Sequence, residues 1–431
     1  MSFATFEQDV AALALAAVTA ADPAALVSSQ IAVSPGAVMV AGESYAPARI
    51  FVVSVGKAAV AMAAAAAVIL ADTLTGGVVI SKTTAVPDLS PPLRYFPGSH
   101  PLPSQLSLLA TQAVYDLLAD TQTDDLVLCL ISGGASALLT RPVLPLAQWQ
   151  ALNDALLRSG CAINDVNTIR QQFDTVKGGG LAQWAAPATC VSLILSDVIG
   201  NRLAHIGSGP TVPTPPDPQQ ARAILDAYQV WARLDEATAA AVSRHLATAI
   251  PHQPAAGNLI RNHIIGDVSL AAEAAARRAE QLGFQTAVIS TTLTGEARDI
   301  GRMAADAARQ TPPGRCLIWG GESTVTVTGG GLGGRNQEAA LAAAVALSGA
   351  PGCVVASFAT DGEDGPTPVA GAVVSGETAV QAAQSGLDPA AYLANNDSYH
   401  FFQRLGAGHL SAPTGTNVND LLVALTYATD S

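Results

Sequence analysis

Short runs of uncharged apolar residues recur along the chain, and most precede a longer segment in which apolar positions return at helical spacing. This pattern predicts buried strands at 50–55, 76–81, 125–131, 189–195, 260–265, 285–290, 323–328, 353–360 and 421–427. It predicts helices within 3–30, 58–71, 106–119, 148–184, 219–250, 269–282 and from 335 onward. Because strands alternate with helices throughout, we expect an α/β protein with parallel or mixed sheets and helices on both faces.

The length and composition indicate more than one domain. A chain of 431 residues is long enough for about two or three domains. It is rich in Ala and poor in aromatic residues, with a mean hydropathy of +0.33, as expected for buried helices on buried strands. We predict two α/β domains, an N-terminal Rossmann-like domain at 1–250 and a C-terminal domain at 251–431. Whether the last segment returns to the N-terminal domain stays open.

The net charge limits the classes of binding partner, and the cysteine usage indicates the cellular compartment. The net charge of −13 argues against nucleic acid or an anionic membrane as a partner, although a local basic pocket for a small anion is compatible with it. The five cysteines show no C-x-x-C spacing and are interpreted as reduced thiols of a cytoplasmic protein. Glu7 and Asp9 precede the first apolar run, so we predict no secretory signal. The oligomeric state stays open, with a homodimer among the alternatives.

The stretch 320–338 carries the strongest candidate chemistry. A Thr/Val run leads into six residues, 329–334, of which five are Gly, and Arg335 then opens an Ala/Leu-rich helix. Glycine lets a backbone approach an anion, a helix N-terminus supplies free N–H groups, and arginine adds a planar fork. We therefore predict an anion site at Arg335, with a bound nucleotide contacted by Gly331, Gly333, Gly334 and Asn336.

A second candidate site follows two other predicted strands. Lys57 comes after the strand at 50–55, where a cation at a helix start is unfavourable unless an anion binds there. The strand at 125–131 ends in Ser132-Gly133-Gly134, with the hydroxyl of Ser136 close behind. A solvated lysine and an ordinary tight turn are the structural alternatives. We predict that Lys57 is catalytic and that Ser132, Gly133, Gly134 and Ser136 contact the nucleotide.

Two aspartates follow separate strands beside glycine-containing loops. Asp197 and Asp361 are interpreted as ligands of Mg²⁺, which prefers one or two carboxylates together with substrate phosphate. Each could instead cap a helix or a turn. Alternative metal candidates are Glu322, Glu338, Glu363 and Asp364. His100 lies in a proline-rich loop and is interpreted as structural.

The run 329–334 also matches the G-x-G-x-x-G pattern of dinucleotide-binding loops. However, no acidic residue follows about 20 residues later, where ribose recognition expects one. The chain contains no G-x-x-x-x-G-K-[ST] motif and is therefore not predicted to be a P-loop kinase.

Ten motifs in collinear order resemble the class II glycerate 2-kinase family, whose C-terminal part is called MOFRL and some of whose members are labelled hydroxypyruvate reductase. They span about 50–425 and read SVGKAAVAM (54–62), SGGASALL (132–139), VKGGGLA (176–182), SDVIGN (196–201), GSGPT (207–211), GGESTVTV (320–327), GGRNQE (333–338), TDGEDGPT (360–367), NNDSYHFF (395–402) and TGTNVND (414–420).

The resemblance implies transfer of a phosphoryl group from ATP, with Mg²⁺, to the 2-hydroxyl of glycerate. It also implies an active site in the cleft between two α/β domains, the second of MOFRL type. Lys57 and Arg335 match the catalytic lysine and arginine of the family, and Asp197 or Asp361 would hold Mg²⁺ while the other orients the hydroxyl.

The chain departs from the family pattern at several polar positions, namely Ser99 and Ser104, 171–174, Asn201 and Pro368. The polar groups lost at these positions could contact the substrate, whereas the phosphate-type loops are kept, so the sequence supports phosphoryl transfer better than it supports glycerate as the substrate. A kinase for a related 2-hydroxy acid, an NAD(P)H-dependent hydroxypyruvate reductase and a small-anion sensor therefore stay as alternatives.

Overall fold

The computed structural model describes residues 3–82, 88–89, 91–248, 258–406, 408–410 and 414–428. Its contacts define two compact units. We call Pro23–Ser196 with Asn201–Ile265 the N-terminal unit, and Met1–Asp22, Asp197–Gly200 and Gly266–Ser431 the C-terminal unit. The predicted domain boundary at 250/251 lies outside the described residues.

The strands, numbered in chain order over the described residues, are β1 Ile31–Ser34, β2 Ala37–Val40, β3 Glu43–Tyr45, β4 Ile50–Val55, β5 Leu74–Ser81, β6 Leu93–Pro97, β7 Leu126–Ile131, β8 Thr189–Leu195, β9 Ile260–Gly266, β10 Gln285–Glu296, β11 Arg315–Thr324, β12 Cys353–Ala359, β13 Gly371–Ser375, β14 His409–Leu410 and β15 Asp420–Thr426.

The α-helices in the same residues are α1 Phe6–Ala20, α2 Pro23–Gln30, α3 Ala59–Leu70, α4 Gln105–Leu118, α5 Ala135–Leu138, α6 Leu146–Arg158, α7 Ile163–Phe173, α8 Gly180–Ala185, α9 Pro218–Ala227, α10 Glu236–Thr248, α11 Val268–Gln281, α12 Ala297–Gln310, α13 Arg335–Leu347, α14 Thr378–Gln384, α15 Pro389–Ala394 and α16 Ser398–Leu405.

The N-terminal unit is built on a six-stranded sheet of order β6-β5-β4-β7-β8-β9. The four pairs from β6 to β8 are parallel. Every residue of β4 and of β7 is buried, which explains why these strands read as continuous apolar runs. The chain leaves β4 toward β5 on one side and later returns to β7 on the other, so the strand order reverses between β4 and β7. A reversal of this kind opens a crevice at the carboxyl ends of the two strands.

The C-terminal unit has a mixed six-stranded sheet of order β10-β11-β15-β12-β13-β14. Only β10 and β11 pair in parallel; the other neighbours are antiparallel. The last strand, β15, is buried at all seven positions and lies between β11 and β12. The final strand of the chain therefore completes the centre of this sheet. The predicted α/β class, with parallel and mixed sheets, is confirmed.

Small residues allow the helices of the C-terminal unit to pack very closely. Helix α13 buries an unbroken run of residues from Asn336 to Ala344. A Cβ atom added at Gly301 of α12 would lie 2.0 Å from the carbonyl oxygen of Ala339 in α13. Alanine and glycine at this contact bring the two backbones together, which accounts for a core that is rich in Ala and poor in aromatic residues.

The structure differs from the predicted elements in several places; the strands β6, in the proline-rich stretch, and β13 were not predicted. Strand β11 continues through Gly320 and Gly321 to Thr324, so the separate strand predicted at 323–328 is wrong. The glycines permit this continuation, because a Cβ at Gly321 would lie 2.0 Å from the carbonyl oxygen of Leu293 in β10. The predicted helix at 148–184 is three helices, α6 to α8. The antiparallel sheet β1-β2-β3 was not predicted, since its strands have only three or four residues.

The first helix packs within the C-terminal unit. Helix α1 contacts α11, and the hydroxyl of Tyr427 donates to Asp9 Oδ2 at 2.9 Å. In the described part of the chain, the helical stretch Phe3–Ala20 alone has the length and hydropathy that could cross a membrane. The stretch also carries Glu7 and Asp9, and Val10, Leu13 and Ala17 are its buried residues, as on the packed face of an amphipathic helix.

Candidate functional site

The loops after β4 and β7 are in direct contact at the strand-order reversal of the N-terminal unit. The amide of Lys57 donates to the carbonyl oxygen of Gly133 at 2.9 Å, and the amide of Ala58 donates to Ser132 Oγ at 3.1 Å. Gly56 has a φ of +130°, and a Cβ there would lie 2.2 Å from Ser132 Oγ. Glycine is therefore required at position 56, and the structure brings Lys57 and the Ser132 loop together as the sequence predicts.

The turn after Ser132 presents open backbone donors. Gly134 adopts a left-handed conformation with φ of +86° and leads into α5. Among the described residues, the amides of Gly133, Gly134, Ala135 and Ser136 have no hydrogen-bond acceptor. Successive open amides at a tight turn form a concave site for an anion. We call 132–136 together with Lys57 the lysine cradle.

The lysine cradle is surrounded by positive charge. A Cβ at Gly134 would lie 3.3 Å from His100 Cδ2 and 3.6 Å from Lys57 Cγ, so both side chains line the turn. The pKa of His100 is lowered to about 4. Desolvation is the largest cause, and the positive charges of Lys57, Lys82 and Arg170 act in the same direction. Because His100 lies at the surface beside these three cations, their charges add to the effect of desolvation on its pKa. Its imidazole is neutral at neutral pH.

The interpretation of His100 as structural therefore missed a side chain that lies at the cradle. The signal was present in the sequence, because His100 lies between Ser99 and Ser104, two of the positions at which the chain departs from the family pattern.

A buried lysine supports the cradle from within the unit. Lys177 Nζ donates to the carbonyl oxygen of Ser136 at 2.7 Å and to that of Leu139. Burial lowers the pKa of Lys177 to about 8, and the charge of Asp174 opposes that shift. The hydroxyl of Ser136 lies 2.8 Å from Ser208 Oγ. The hydroxyl predicted to contact phosphate thus already has a protein partner.

Arg335 is held by two carboxylates in the C-terminal unit. Its Nε and Nη2 donate to the two oxygens of Asp420 at 2.5 and 3.0 Å, and its Nη1 lies 2.8 Å from Glu322 Oε1. Burial alone would lower the pKa of Arg335, but the hydrogen bonds and charge of Asp420, with Glu322 and Asp364, raise it. Arg335 is therefore a permanent, oriented cation.

The N-terminus of α13 is already capped by a buried carboxylate. The amides of Asn336 and Gln337 donate to the two oxygens of Asp364 at 3.0 and 2.8 Å, and their side chains donate to the same carboxylate. Burial raises the pKa of Asp364, while these hydrogen bonds act in the opposite direction. The helix end that the sequence predicts as an anion site meets Asp364 instead. A nucleotide contact by Asn336 stays a prediction.

Backbone amides of the glycine-rich run at 329–334 form hydrogen bonds with the turn at 395–397. Its amides donate to that turn at Gly329 (Asn396 Oδ1, 2.9 Å), Gly330 (Asn395 Oδ1, 3.1 Å), Gly331 (Asn395 O, 2.9 Å) and Leu332 (Asp397 Oδ1, 2.9 Å). The amides are therefore engaged within the protein.

Close packing explains the glycines of this run. Added Cβ atoms at Gly331, Gly333 and Gly334 would lie 2.4 Å from Asp397 Cβ, 2.2 Å from Ser398 Oγ and 2.3 Å from Asp364 Cγ. Nucleotide contacts at these three glycines stay predictions, and the structure supplies a packing reason for the same residue type.

The two predicted metal ligands both belong to the C-terminal unit by their contacts. Asp197 is the second residue after β8, and Asn417 Nδ2 donates to its Oδ2 at 3.5 Å. Asp361 follows β12 and accepts the amide of Glu363 at 3.1 Å. In the described residues, no three His, Cys, Asp or Glu side chains converge as a metal site. A magnesium ion held by one or two carboxylates and by phosphate oxygens does not require three.

Fold and sites together define the class: an α/β protein with oriented cations and open amides beside the carboxyl ends of its strands. Two family patterns match the chain, the "Domain of unknown function (DUF4147)" at residues 9–244 and the "MOFRL family" at residues 315–420. The chain belongs to the glycerate 2-kinase family that carries the MOFRL domain, and the resemblance stated from its motifs is confirmed.

Two relatives and one solved structure illustrate the similarity. A D-glycerate 2-kinase of Thermotoga maritima is 38% identical, with 88% of this chain and 90% of the relative covered. A glycerate 2-kinase of Pyrococcus horikoshii is 36% identical, with 95% and 94% covered. The crystal structure of a glycerate kinase from Thermotoga maritima matches with a TM-score of 0.85 at 34% identity, covering 98% of this chain and 99% of that one.

The residues that depart from the family motifs have structural partners here. Ser99 Oγ lies 2.7 Å from Ser104 Oγ, and Ser104 Oγ accepts the amide of Leu106 at the start of α4. Gln171 Nε2 donates to the carbonyl oxygen of Ala204 at 2.8 Å. Asp174 accepts hydrogen bonds from Thr140 Oγ1 and from backbone amides. These positions are therefore integrated into the N-terminal unit.

Proposed function

We propose that this protein transfers the γ-phosphoryl group of ATP to the 2-hydroxyl of D-glycerate, giving 2-phosphoglycerate. The observation that carries the proposal is the lysine cradle. It combines a cation with open backbone amides at the strand-order reversal of an α/β sheet, where such folds bind ligands. The kinase names of the relatives from Thermotoga maritima and Pyrococcus horikoshii agree with it.

The cradle suits an oxyanion that gains or shifts negative charge during reaction. The transition state of phosphoryl transfer is loose, with charge spread over the three equatorial oxygens, so positioned donors and cations do most of the catalysis. We assign Lys57 to the transferred phosphoryl group, with the amides of 133–136 around it. A neutral His100 adds a donor or an acceptor without cancelling the positive charge.

Arg335 is the second proposed catalytic residue. Asp420 accepts two parallel hydrogen bonds from one edge of the Arg335 guanidinium, and these bonds fix the plane of that group. The other edge is the one that can meet a carboxylate or phosphate of a ligand. The permanent charge of Arg335 and its planar fork suit both kinds of group.

Asp361 and Asp197 are the proposed holders of Mg²⁺, and whichever does not hold the ion orients the 2-hydroxyl. Both side chains are partly exposed carboxylates on loops, which fits an ion that keeps several waters. When bound, Mg²⁺ neutralises charge on the nucleotide phosphates.

The hydroxypyruvate reductase alternative has less support. A dinucleotide needs open amides at the glycine-rich loop and at the following helix N-terminus. Here the amides at 329–332 donate to the 395–397 turn, and those of Asn336 and Gln337 donate to Asp364.

The first experiment is to incubate the purified protein with MgATP and D-glycerate, to measure ADP, and to identify the product by phosphorus NMR. We expect ADP formation and a 2-phosphoglycerate signal. ADP formation only with another 2-hydroxy acid would retain the kinase and replace its substrate. NADH oxidation with hydroxypyruvate, in the absence of any coupling dehydrogenase, would instead establish the reductase. Tight ligand binding without either reaction would indicate a sensor.

A further inference from the structure

The two carboxylates that hold Arg335 differ sharply in exposure. The side chain of Asp420 is 8% exposed, whereas that of Glu322 is 45% exposed. If a buried carboxylate separated from its guanidinium, a buried charge would be left without a partner, which costs free energy. An exposed carboxylate can exchange into water, because solvent replaces what the ion pair supplied. Asp420 is thus the fixed partner of Arg335, and Glu322 is the exchangeable one.

The hydrogen bonds of the guanidinium show what an arriving anion would meet. Nε and Nη2 donate to Asp420, and Nη1 is paired with Glu322. A ligand oxyanion that seeks a two-pronged contact must use Nη1 together with the second hydrogen of Nη2. Glu322 therefore occupies a donor that such a ligand needs.

The backbone around Glu322 is fixed, so exchange is confined to its side chain. Its neighbour Gly321 pairs with Asp420 across β11 and β15, and Glu322 itself pairs with Thr294 of β10. Pairing with β10 at Glu322 and with β15 at Gly321 thus fixes the backbone at the carboxyl end of β11. Rotation of one partly exposed side chain is the smallest movement that opens Nη1.

We propose that Glu322 is a competing carboxylate that determines specificity: it occupies Arg335 until an oxyanion ligand displaces it. A neutral polyol of the same size offers no charge to replace Glu322 and is disfavoured, while a carboxylate or phosphate is admitted. The choice of D-glycerate as the ligand rests on the proposed function; the exchange itself requires only an oxyanion.

The test compares wild type with Glu322→Gln, Glu322→Ala and the control Glu377→Gln, which removes one exposed charge elsewhere in the C-terminal unit. We expect the KM for D-glycerate to fall roughly two- to fivefold in Glu322→Gln, the size typical of losing one exposed ion pair, and somewhat further in Glu322→Ala. The Mg²⁺ requirement and the Tm should stay near wild type, and Glu377→Gln should match wild type throughout.

Two outcomes overturn the proposal. A rise in the KM for D-glycerate would make Glu322 part of the ligand's own contacts. A rise in the Mg²⁺ requirement with a fall in kcat would make it a metal ligand.

A titration with inorganic phosphate separates this proposal from the proposed function. It measures affinity by calorimetry without any turnover. If wild type does not phosphorylate D-glycerate but Glu322→Gln binds phosphate more tightly than wild type, the kinase assignment fails and the exchange stands. If phosphate affinity is the same in both proteins, or absent from both, the exchange is wrong whatever the turnover shows.

Discussion

The ammonium group of Lys177 donates a 2.7 Å hydrogen bond to the carbonyl oxygen of Ser136, inside the turn that carries the open amides. A second bond from the same ammonium reaches Leu139 at the end of α5. The buried Lys177 thus stabilises the lysine cradle through hydrogen bonds to its backbone and to the residue after α5.

Replacing that support should loosen the cradle. Lys177→Met keeps much of the side-chain volume but leaves the buried carbonyl group of Leu139 and the partly buried one of Ser136 without this donor. A buried group left unsatisfied costs about 1–3 kcal/mol. We expect the free energy of unfolding at neutral pH to fall by about 2 kcal/mol in urea titrations. The kcat should fall as well, because the amides lose their fixed positions. A variant with wild-type stability and turnover would contradict the supporting role.

The pH dependence of this variant has a definite sign. The folded pKa of Lys177 is about 8, against 10.5 for an ordinary lysine. Between these values the unfolded chain holds a proton that the folded protein has released, so the contribution of this group to stability rises with pH. Lys177→Met removes that contribution. The stability difference between wild type and variant should widen from about pH 8 to pH 10.5, by up to about 3 kcal/mol. Urea titrations across that range measure it.

Lys57 should matter for turnover more than for folding. Its side chain is half-buried at an open turn, so Lys57→Met should leave the Tm nearly unchanged. Losing a cation from the reacting phosphoryl group should lower kcat by about 100-fold or more. Lys82→Met is the matched control, since Lys82 is an exposed lysine that also acts on His100. Equal losses of kcat in the two variants would point to general charge rather than to a specific role of Lys57.

Arg335→Lys separates charge from shape. Lysine keeps the positive charge but cannot make the parallel pair of bonds to Asp420. We expect kcat to fall by roughly 100-fold, as for loss of one oriented donor, with a smaller loss of stability because Asp420 keeps an opposite charge beside it. Steady-state kinetics and a thermal scan measure the two effects. Near-wild-type turnover would rule out the catalytic role of Arg335.

Two neighbouring glycines test the reason for the glycine-rich run. A Cβ at Gly330 meets nothing within 4 Å, whereas a Cβ at Gly331 would lie 2.4 Å from Asp397 Cβ. Gly330→Ala should change the free energy of unfolding by less than about 0.5 kcal/mol, and Gly331→Ala should lower it by about 1–3 kcal/mol. The affinity for ATP should rank the two variants in the same order as the free energy of unfolding does. Loss of ATP binding in a fully stable Gly331→Ala protein would instead establish the predicted nucleotide contact.

Much of the fold could be predicted from hydrophobic pattern alone. Strands such as β4 and β7 are buried on both faces, so their sequences are continuous apolar runs that identify them. The hydrophobic pattern did not predict a strand where glycines lie inside it. Gly320 and Gly321 resemble a loop in sequence, but they lie inside β11 because the neighbouring backbones leave no room for a side chain.

The candidate site was predictable in part. Lys57 and Ser132 follow neighbouring apolar strands, and parallel strands end at a common edge, so their contact follows from the pattern. The partners of Arg335 could not be predicted this way, because Asp420 lies 85 positions later in the chain and reaches the arginine only through the pairing of β15 with β11.

The sequence by itself determined the α/β class, the glycine-containing turns at 132–134 and 329–334, and the positions of Lys57 and Arg335 beside glycine, since burial and backbone freedom act locally. Only the tertiary structure decided which amides are open. Those after Ser132 have no acceptor in the described residues, whereas those at 329–332 donate to the turn at 395–397. Both loops look alike as sequence. The acceptors that distinguish them come from distant segments, and a hydrogen bond depends on where those segments fold.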